Sequence, residues 1–312
     1  MFENKEYVLA VVNEGNFSKA AKSLYISQPS LSASIKRIEE AISAPLFDRS
    51  TNPVSLTEAG QEYVKYAREI EEKERAFSQY ISDQYHVLTG TVKIGGSSFF
   101  SSFMIPRMIA AFQKKYPHIN IEIFENNTDI LLEKLSIGAL DIVIDNAIIN
   151  DDRIKATVFS SERLLLAVPD SFPVNKALLP FMLKSADIKA GKHITGNFDV
   201  AMENFKKEPF ILLNAGNDTG ERAEAILKKH GIAPKVKLYV DQQLTAFNIA
   251  ASGMGVSFVS DTLINHLNTE PPLCFYRLSD PESERNIFFY VKKNHYLSKA
   301  CQRFIEVAGE TE

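Results

Sequence analysis

Phe17-Ser18-Lys19-Ala20-Ala21-Lys22-Ser23-Leu24-Tyr25-Ile26-Ser27-Gln28-Pro29-Ser30-Leu31-Ser32 holds two helix starts separated by one turn. Ser18 stands where an N-cap belongs, and the helix expected over 19–24 turns Ala20, Ala21 and Leu24 inward. Tyr25-Ile26 turns the chain. Ser27 then caps a second helix, whose first turn admits Pro29 because the N–H that proline lacks has no partner there anyway. Along it Leu31, Ile35, Ile38 and Ile42 make one apolar stripe, and Pro45 is expected to end it. Gln28, Ser30, Ser32, Ser34, Lys36 and Arg37 fall on the other side.

Upstream, Tyr7, Val8, Val11 and Val12 recur at helical spacing, and Asn13-Glu14-Gly15-Asn16 reads as a stop. Downstream, Ser50-Thr51-Asn52 reads as a turn before a short strand, Pro53-Val54-Ser55-Leu56. Thr57 caps one long helix reaching about Leu88. In it Tyr63, Ala67, Ile70, Glu74, Phe77, Ile81, Gln84 and Leu88 follow the four-three spacing of a coiled-coil seam, interrupted at Glu74 and Gln84. Such a helix either packs on its own domain or meets a partner. A polar helix of this length with a narrow stripe points to the partner.

Thr89-Gly90 breaks that helix, and strand and helix patterns then alternate. Strands are expected at 92–94, 119–124, 141–144, 164–168, 210–213, 236–239 and 256–259. Helices are expected at 103–116, 129–137, 220–230 and 244–251, and 175–207 has weak periodicity. Short apolar strands between helical patterns argue for parallel sheets covered on both faces.

A length of 312 residues suits two or three compact units, and 45% hydrophobic with 24% charged residues is ordinary for a globular protein. Cys274 and Cys301 have no paired spacing, which opposes a disulfide framework or zinc site and suits a reducing compartment. Met1-Phe2-Glu3-Asn4-Lys5-Glu6 carries charge where a secretory leader needs an apolar core. No run approaches the roughly 20 apolar residues that span a bilayer. The expectation is a soluble, cytoplasmic chain without membrane contact.

A groove-entering helix must bury one stripe on its own domain and show small or polar side chains to base edges. Residues 27–37 meet both demands. The serines permit close approach, Gln28 can pair bidentately with adenine, and Lys36 and Arg37 lie far enough along to reach phosphates. The same pattern also suits a purely structural three-helix domain. Composition lends the DNA reading no support: net charge is −4, and the first 60 residues carry six Lys and Arg against seven Asp and Glu.

The run from Phe17 to Ser32 closely resembles the helix-turn-helix of LysR-type transcriptional regulators. The likeness continues through Ile35-Lys36-Arg37-Ile38-Glu39, Pro45-Leu46-Phe47-Asp48-Arg49 and Leu56-Thr57-Glu58-Ala59-Gly60. It implies an N-terminal all-α winged helix-turn-helix over 1–60 and a long linker and dimerisation helix over 57–88. By the same resemblance, DNA contacts are expected at Ser18, Ser27, Gln28, Pro29, Ser30, Ser32, Ser34, Lys36 and Arg37, with Arg49 as the wing cation. The family's second wing arginine is replaced here by Asn52. The implied assembly is a homodimer, often a homotetramer, on double-stranded promoter or operator sites, with RNA polymerase as a further contact.

Gly95-Gly96-Ser97-Ser98 with Ile105-Pro106, then Leu165-Leu166-Ala167-Val168-Pro169 and Ala251-Ser252-Gly253-Met254-Gly255-Val256, resemble the family's effector domain less specifically. The proline that usually follows the last strand is replaced by Ser260 or Asp261. The resemblance implies an α/β, two-lobed, periplasmic-binding-protein-like domain over 90–312. Lobe I would take about 90–163 and 269–312, lobe II about 164–268, with a small-molecule effector in the cleft. By position Ser97, Ser98, Asn146, Asp218 and Thr219 line it. Helix N-termini there suit an anion. Phe99 suggests an aromatic or less polar moiety, and Asp145 with Asp218 an amine.

Two other classes compete. An enzyme is opposed by the absence of a G-x-S-x-G elbow, a phosphate-cradling loop or H-E-x-x-H, and by six scattered histidines, 86, 118, 193, 230, 266 and 295. Gly253-Met254-Gly255 is too bare for a dinucleotide fingerprint, so no cofactor and no metal are expected. A solute-binding protein is opposed by the charged start and the first 60 residues.

Overall fold

Three helices, α1 (Lys5–Glu14), α2 (Phe17–Ser23) and α3 (Gln28–Ile42), pack around Val8, Val11, Ala20, Leu31 and Ile35, all essentially inaccessible to water. The computed structural model describes residues 1–51, 53–84, 90–214 and 216–310. It divides into two units, Met1–Val87 with Ile137–Ala139, and Leu88–Ser136 with Leu140–Glu312. In the first, α1 stops at Gly15, whose φ of 59° is the left-handed cap that a glycine adopts without strain. The cap of α2 is Asn16, whose side chain accepts from the Ser18 and Lys19 N–H groups, so Ser18 lies inside the helix and does not cap it. Ser27 caps α3 as expected. That helix closes at Ser43, at φ 57°, before Pro45 is reached.

A small wing follows, β1 (Phe47–Asp48) antiparallel to β2 (Ser55–Leu56), and then α4 (Glu58–Gln84). Thr57 accepts the Gly60 N–H and donates to the Pro45 carbonyl, fixing the start of α4 on the wing. Tyr63 and Ala67, expected in a coiled-coil seam, are instead buried in the N-terminal core. Asn52, His86, Leu88 and the break at Thr89 lie outside the described residues.

The second unit has two lobes. Lobe I orders its strands β4 (Ile119–Glu125), β3 (Gly90–Gly96), β5 (Ile142–Asp145) and β12 (Glu284–Lys292), against the first half of β6 (Ile154–Pro169). A π-turn at Phe100–Met104 leads into α5 (Ile105–Lys115). That helix and α13 (Lys299–Gly309) bury Phe112 and Phe304 on one face, while α6 (Thr128–Ser136) places Leu131 and Leu135 on the other. In lobe II the second half of β6 lies between β10 (Val256–Ser260) and β11 (Leu273–Leu278); β8 (Pro209–Leu213) and β9 (Lys235–Val240) extend one side and β7 (Asp199–Val200) the other. Helices α7 (Val174–Ala177), α8 (Ser185–Lys189), α9 (Lys192–Thr195), α10 (Asp218–Lys229), α11 (Gln243–Ala251) and α12 (Asp261–Asn265) complete it.

The sheets are not purely parallel. β6, β11 and β12 enter antiparallel, because the chain passes between lobes as strands. β6 changes lobes at Arg163, near the expected position. The return falls between Leu278 and Glu284, through the turn at Pro281–Ser283, not near 268, since β11 is still hydrogen-bonded within lobe II.

His230, at the C-terminus of α10, sits with Nδ1 2.8 Å from Glu203 and Nε2 2.9 Å from the buried Asp280. Its pKa is raised, by the hydrogen bond to Glu203 and then by that to Asp280. A raised folded pKa means the stabilisation is complete below the unfolded value of about 6.5 and is lost as pH rises through the folded one. His230→Gln is expected to destabilise by about 1.5–3 kcal/mol at pH 5.5 and by less at pH 9, read from urea melts. Equal losses at both pH values contradict a charged imidazolium here.

Candidate functional site

Two surfaces stand out, one on each unit. On the first, α3 turns Leu31, Ile35 and Ile38 into the core and leaves Gln28, Pro29, Ser30, Lys36 and Arg37 exposed. Ser32 and Ser34 are half-buried beside the apolar stripe. Gln28 Nε2 donates to Ser32 Oγ at 3.0 Å, and Ser27 Oγ to Ser30 Oγ at 3.1 Å, so the ridge is ordered by its own short polar groups. Lys36 pairs loosely with Glu40 at 3.8 Å, an exposed contact of small energy. Ser18 is exposed on α2.

Arg49 is less available. Its guanidinium lies 5.0 Å from the centre of the Phe17 ring and 3.1 Å from Glu39, whose other oxygen accepts the Leu46 N–H. The wing arginine is thus tied to α3. Gly60 explains another part of the pattern: a Cβ there would meet the Leu46 carbonyl oxygen at 2.0 Å, so only glycine lets α4 approach the wing. Sequence reasoning passed over Tyr25, 96% exposed at the α2–α3 turn, and the exposed Ala33 on the outer side of α3. A small apolar side chain in a polar ridge, and an aromatic residue in a turn, were the available signals.

On the second unit a cavity of about 380 Å³ opens between the lobes, at the C-terminal ends of parallel strands where ligands commonly sit in such sheets. Of the five positions expected there, Ser97, Asn146, Asp218 and Thr219 line it, and Ser98 does not. Ser98 is half-buried beside Ser97, which is itself on the cavity wall.

The floor is a charged network that sequence reasoning missed. Arg285 on β12 stands directly opposite Glu162 on β6, the two 2.7 Å apart and both almost fully buried. The same guanidinium reaches Asp218 at 2.6 Å and Thr219 Oγ1 at 2.9 Å, at the start of α10. Arg222 also holds Asp218, at 2.9 Å, and donates to the Glu282 and Glu284 carbonyls in the strand crossing. Asn146 donates its amide to Glu162 at 3.0 Å. Burial, the largest influence, pushes Glu162 up, but the Arg285 charge together with hydrogen bonds from Thr262, Asn146 and Arg285 holds it below the usual carboxylate range. The available signal was a charge just ahead of an apolar strand run, Glu162 before Leu164-Leu165-Leu166 and Arg285 before Ile287-Phe288-Phe289.

Comparison with known proteins matches both units. A family model described as a bacterial regulatory helix-turn-helix protein of the lysR family covers residues 2–61. Another, described as the LysR substrate binding domain, covers residues 86–184 and 190–312. A protein of Gracilaria tenuistipitata var. liui, named "Probable RuBisCO transcriptional regulator", is 27% identical over 95% of this chain and 91% of its own. The "Uncharacterized HTH-type transcriptional regulator YcgK" of Bacillus subtilis (strain 168) is 26% identical over 98% and 93%. Among solved structures, full-length OxyR C199D from Pseudomonas aeruginosa covers all of this chain with 94% of its own, at TM-score 0.72 and 21% identity. Full-length BenM covers 99% with 96% of its own, at TM-score 0.56 and 26% identity.

Proposed function

The chain belongs to the LysR family of bacterial regulatory helix-turn-helix proteins, and from that premise we propose that α3 reads promoter DNA and that a small molecule in the interlobe cavity sets the regulator's activity. The observation that carries the first half is the division of α3 into a buried apolar stripe and a bare ridge of short polar side chains. Such a ridge admits the helix to the major groove. Gln28, Ser30, Ser32 and Ser34 face base edges, Ser18, Ser27 and Pro29 lie where the helix enters, and Lys36 and Arg37 hold phosphates. Arg49, held by Glu39, supports the wing first and reaches phosphate only if that pair opens.

The second half rests on the cavity and on the Arg285–Glu162–Asp218 network beneath it, which joins the crossing strands to the start of α10. A ligand touching Asp218 or Thr219 alters that network directly. Regulation, with no catalytic role, is the reading that fits a polar cavity whose one guanidinium is neutralised by structural carboxylates. No described helix is long and apolar enough to cross a membrane. A DNA-binding regulator works where the chromosome is, and on that ground we read this one as cytoplasmic.

Gln28→Ala is expected to weaken binding to the true operator by about 1–3 kcal/mol while leaving bulk-duplex affinity unchanged. Lys36→Ala is expected to weaken both alike and to lower the salt slope by about one. Fluorescence anisotropy across a salt series separates the two. An unchanged operator affinity for Gln28→Ala removes that residue from base reading.

A further inference from the structure

The carboxylates Asp145, Asp218 and Asp241 line the interlobe cavity, and among the described residues Arg285 is its one lining cation. That guanidinium is already committed to Glu162 and Asp218. Two of the helix starts at the cavity are met by the chain's own oxygens, whereas the start of α11, behind Gln242, has no side-chain cap. Thr219 N–H donates to Asn217 Oδ1 at 3.0 Å, and Ile130 N–H to Asn127 Oδ1 at 3.1 Å. At the end of β5 the Asn146 N–H donates to Asp145 Oδ1 at 2.7 Å. A carboxylate ligand finds those donors occupied and is left with the α11 start alone, in a cavity lined by three aspartates.

Two carboxylates there have no ion-pair partner among the described residues. Asp145, on lobe I, is buried; one oxygen takes the Thr128 hydroxyl at 3.0 Å and the other the Asn146 and Ala147 N–H groups. Asp241, just after β9 on lobe II, takes the Asn214 amide at 2.6 Å. Neither carboxylate makes an ion pair among the described residues. Asp145 feels the Arg285 charge without pairing with it, and a buried carboxylate so placed is costly to ionise, a cost that a cationic ligand beside it reduces; Asp241 is exposed. Burial accordingly pushes the Asp145 carboxyl up.

Resting on the effector reading of this cavity, we propose that its ligand carries a protonated amine held between Asp145 on one lobe and Asp241 on the other. An ammonium donates three hydrogens and has no acceptor, which suits two carboxylates and the amide oxygens around them. Ser97, whose hydroxyl has no hydrogen-bond partner among the described residues, and Asn126 meet the polar remainder of the ligand. The Phe99 ring at the wall is compatible with a cation or an apolar body. Because the two aspartates belong to different lobes, the bound cation bridges them and favours closure.

The test uses the full chain with matched probes at 10 mM: 1,4-diaminobutane against succinate, and 2-phenylethylamine against 3-phenylpropionate. At least one amine is expected to raise Tm by about 3 °C or more, and neither carboxylate to do so. Asp241→Asn, at an exposed position that leaves the unliganded Tm in place, is expected to weaken that amine at least about tenfold by calorimetry, and Asp145→Asn likewise. No shift with either amine overturns the proposal. Binding of a carboxylate that Asp241→Asn strengthens also overturns it, while leaving the cavity as the effector site. Binding of any probe that both substitutions leave unchanged sinks the cavity reading itself.

Discussion

Arg285→Met is expected to cost the C-terminal unit about 3–5 kcal/mol. The side chain lies 2.7 Å from Glu162 and 2.6 Å from Asp218, and it is nearly inaccessible to water. Methionine fills much of the volume but leaves Glu162 charged and buried with only the neutral Asn146 and Thr262 side chains against it, whereas Asp218 keeps Arg222. Breaking one partner of a buried pair is far more harmful than replacing both. Glu162→Gln added to Arg285→Met is therefore expected to recover part of the loss. Urea melts read at the midpoint, with an unchanged slope, check this. A single-variant loss under about 1 kcal/mol means the network carries little of the lobe crossing.

Phe77→Asp with Ile81→Asp is expected to abolish dimer formation at micromolar concentration while leaving the N-terminal core folded. Along α4, Tyr66, Ile70, Phe77, Tyr80 and Ile81 fall on one face by helical spacing, and Phe77 is 66% exposed. A helix with that face toward water needs a partner. Burying each large apolar side chain contributes about 1.5–3 kcal/mol, and a two-fold interface counts each position twice. Removing both and adding charge weakens the dimer by at least about 5 kcal/mol, some thousands-fold in Kd. Because Tyr63 and Ala67 belong to the domain core, Ala67→Asp is expected to unfold the N-terminal unit instead. Sedimentation read beside circular dichroism separates these outcomes. A dimer of unchanged strength in the Phe77, Ile81 variant places the contact elsewhere.

What was legible in the sequence was local. Ser27, Pro29 and the stripe of Leu31, Ile35 and Ile38 specify α3 because cap, first turn and apolar period lie within a few residues of one another. The wing was half-read: β2 was anticipated from its turn, but strands of two residues have no period to detect, and β1 went unseen. The seam was misplaced at its start, since the same spacing serves a core contact at Tyr63 and an outward face at Phe77. The first half of β6 shows exposed and half-buried residues from Ile154 to Ser161 and reads as a loop until β12 is laid beside it. The return crossing was set too early because Leu273–Leu278, a lobe II strand, was not recognised. Glu162 and Arg285 are 123 residues apart, and only the register of β6 against β12 brings them together. Ser97, Asn146, Asp218 and Thr219 were placed by position in the pattern, and Ser98 shows the limit of that method.

The account stands on α3 reading DNA as one of a pair. The most direct measurement is competition binding of the purified full chain, at about 150 mM salt, between the DNA upstream of its own coding region and bulk duplex. A dimer or tetramer is expected to prefer the upstream fragment by at least about a thousandfold and to protect two half-sites about one helical turn, or a multiple, apart. A chain that remains monomeric and binds both duplexes equally contradicts it.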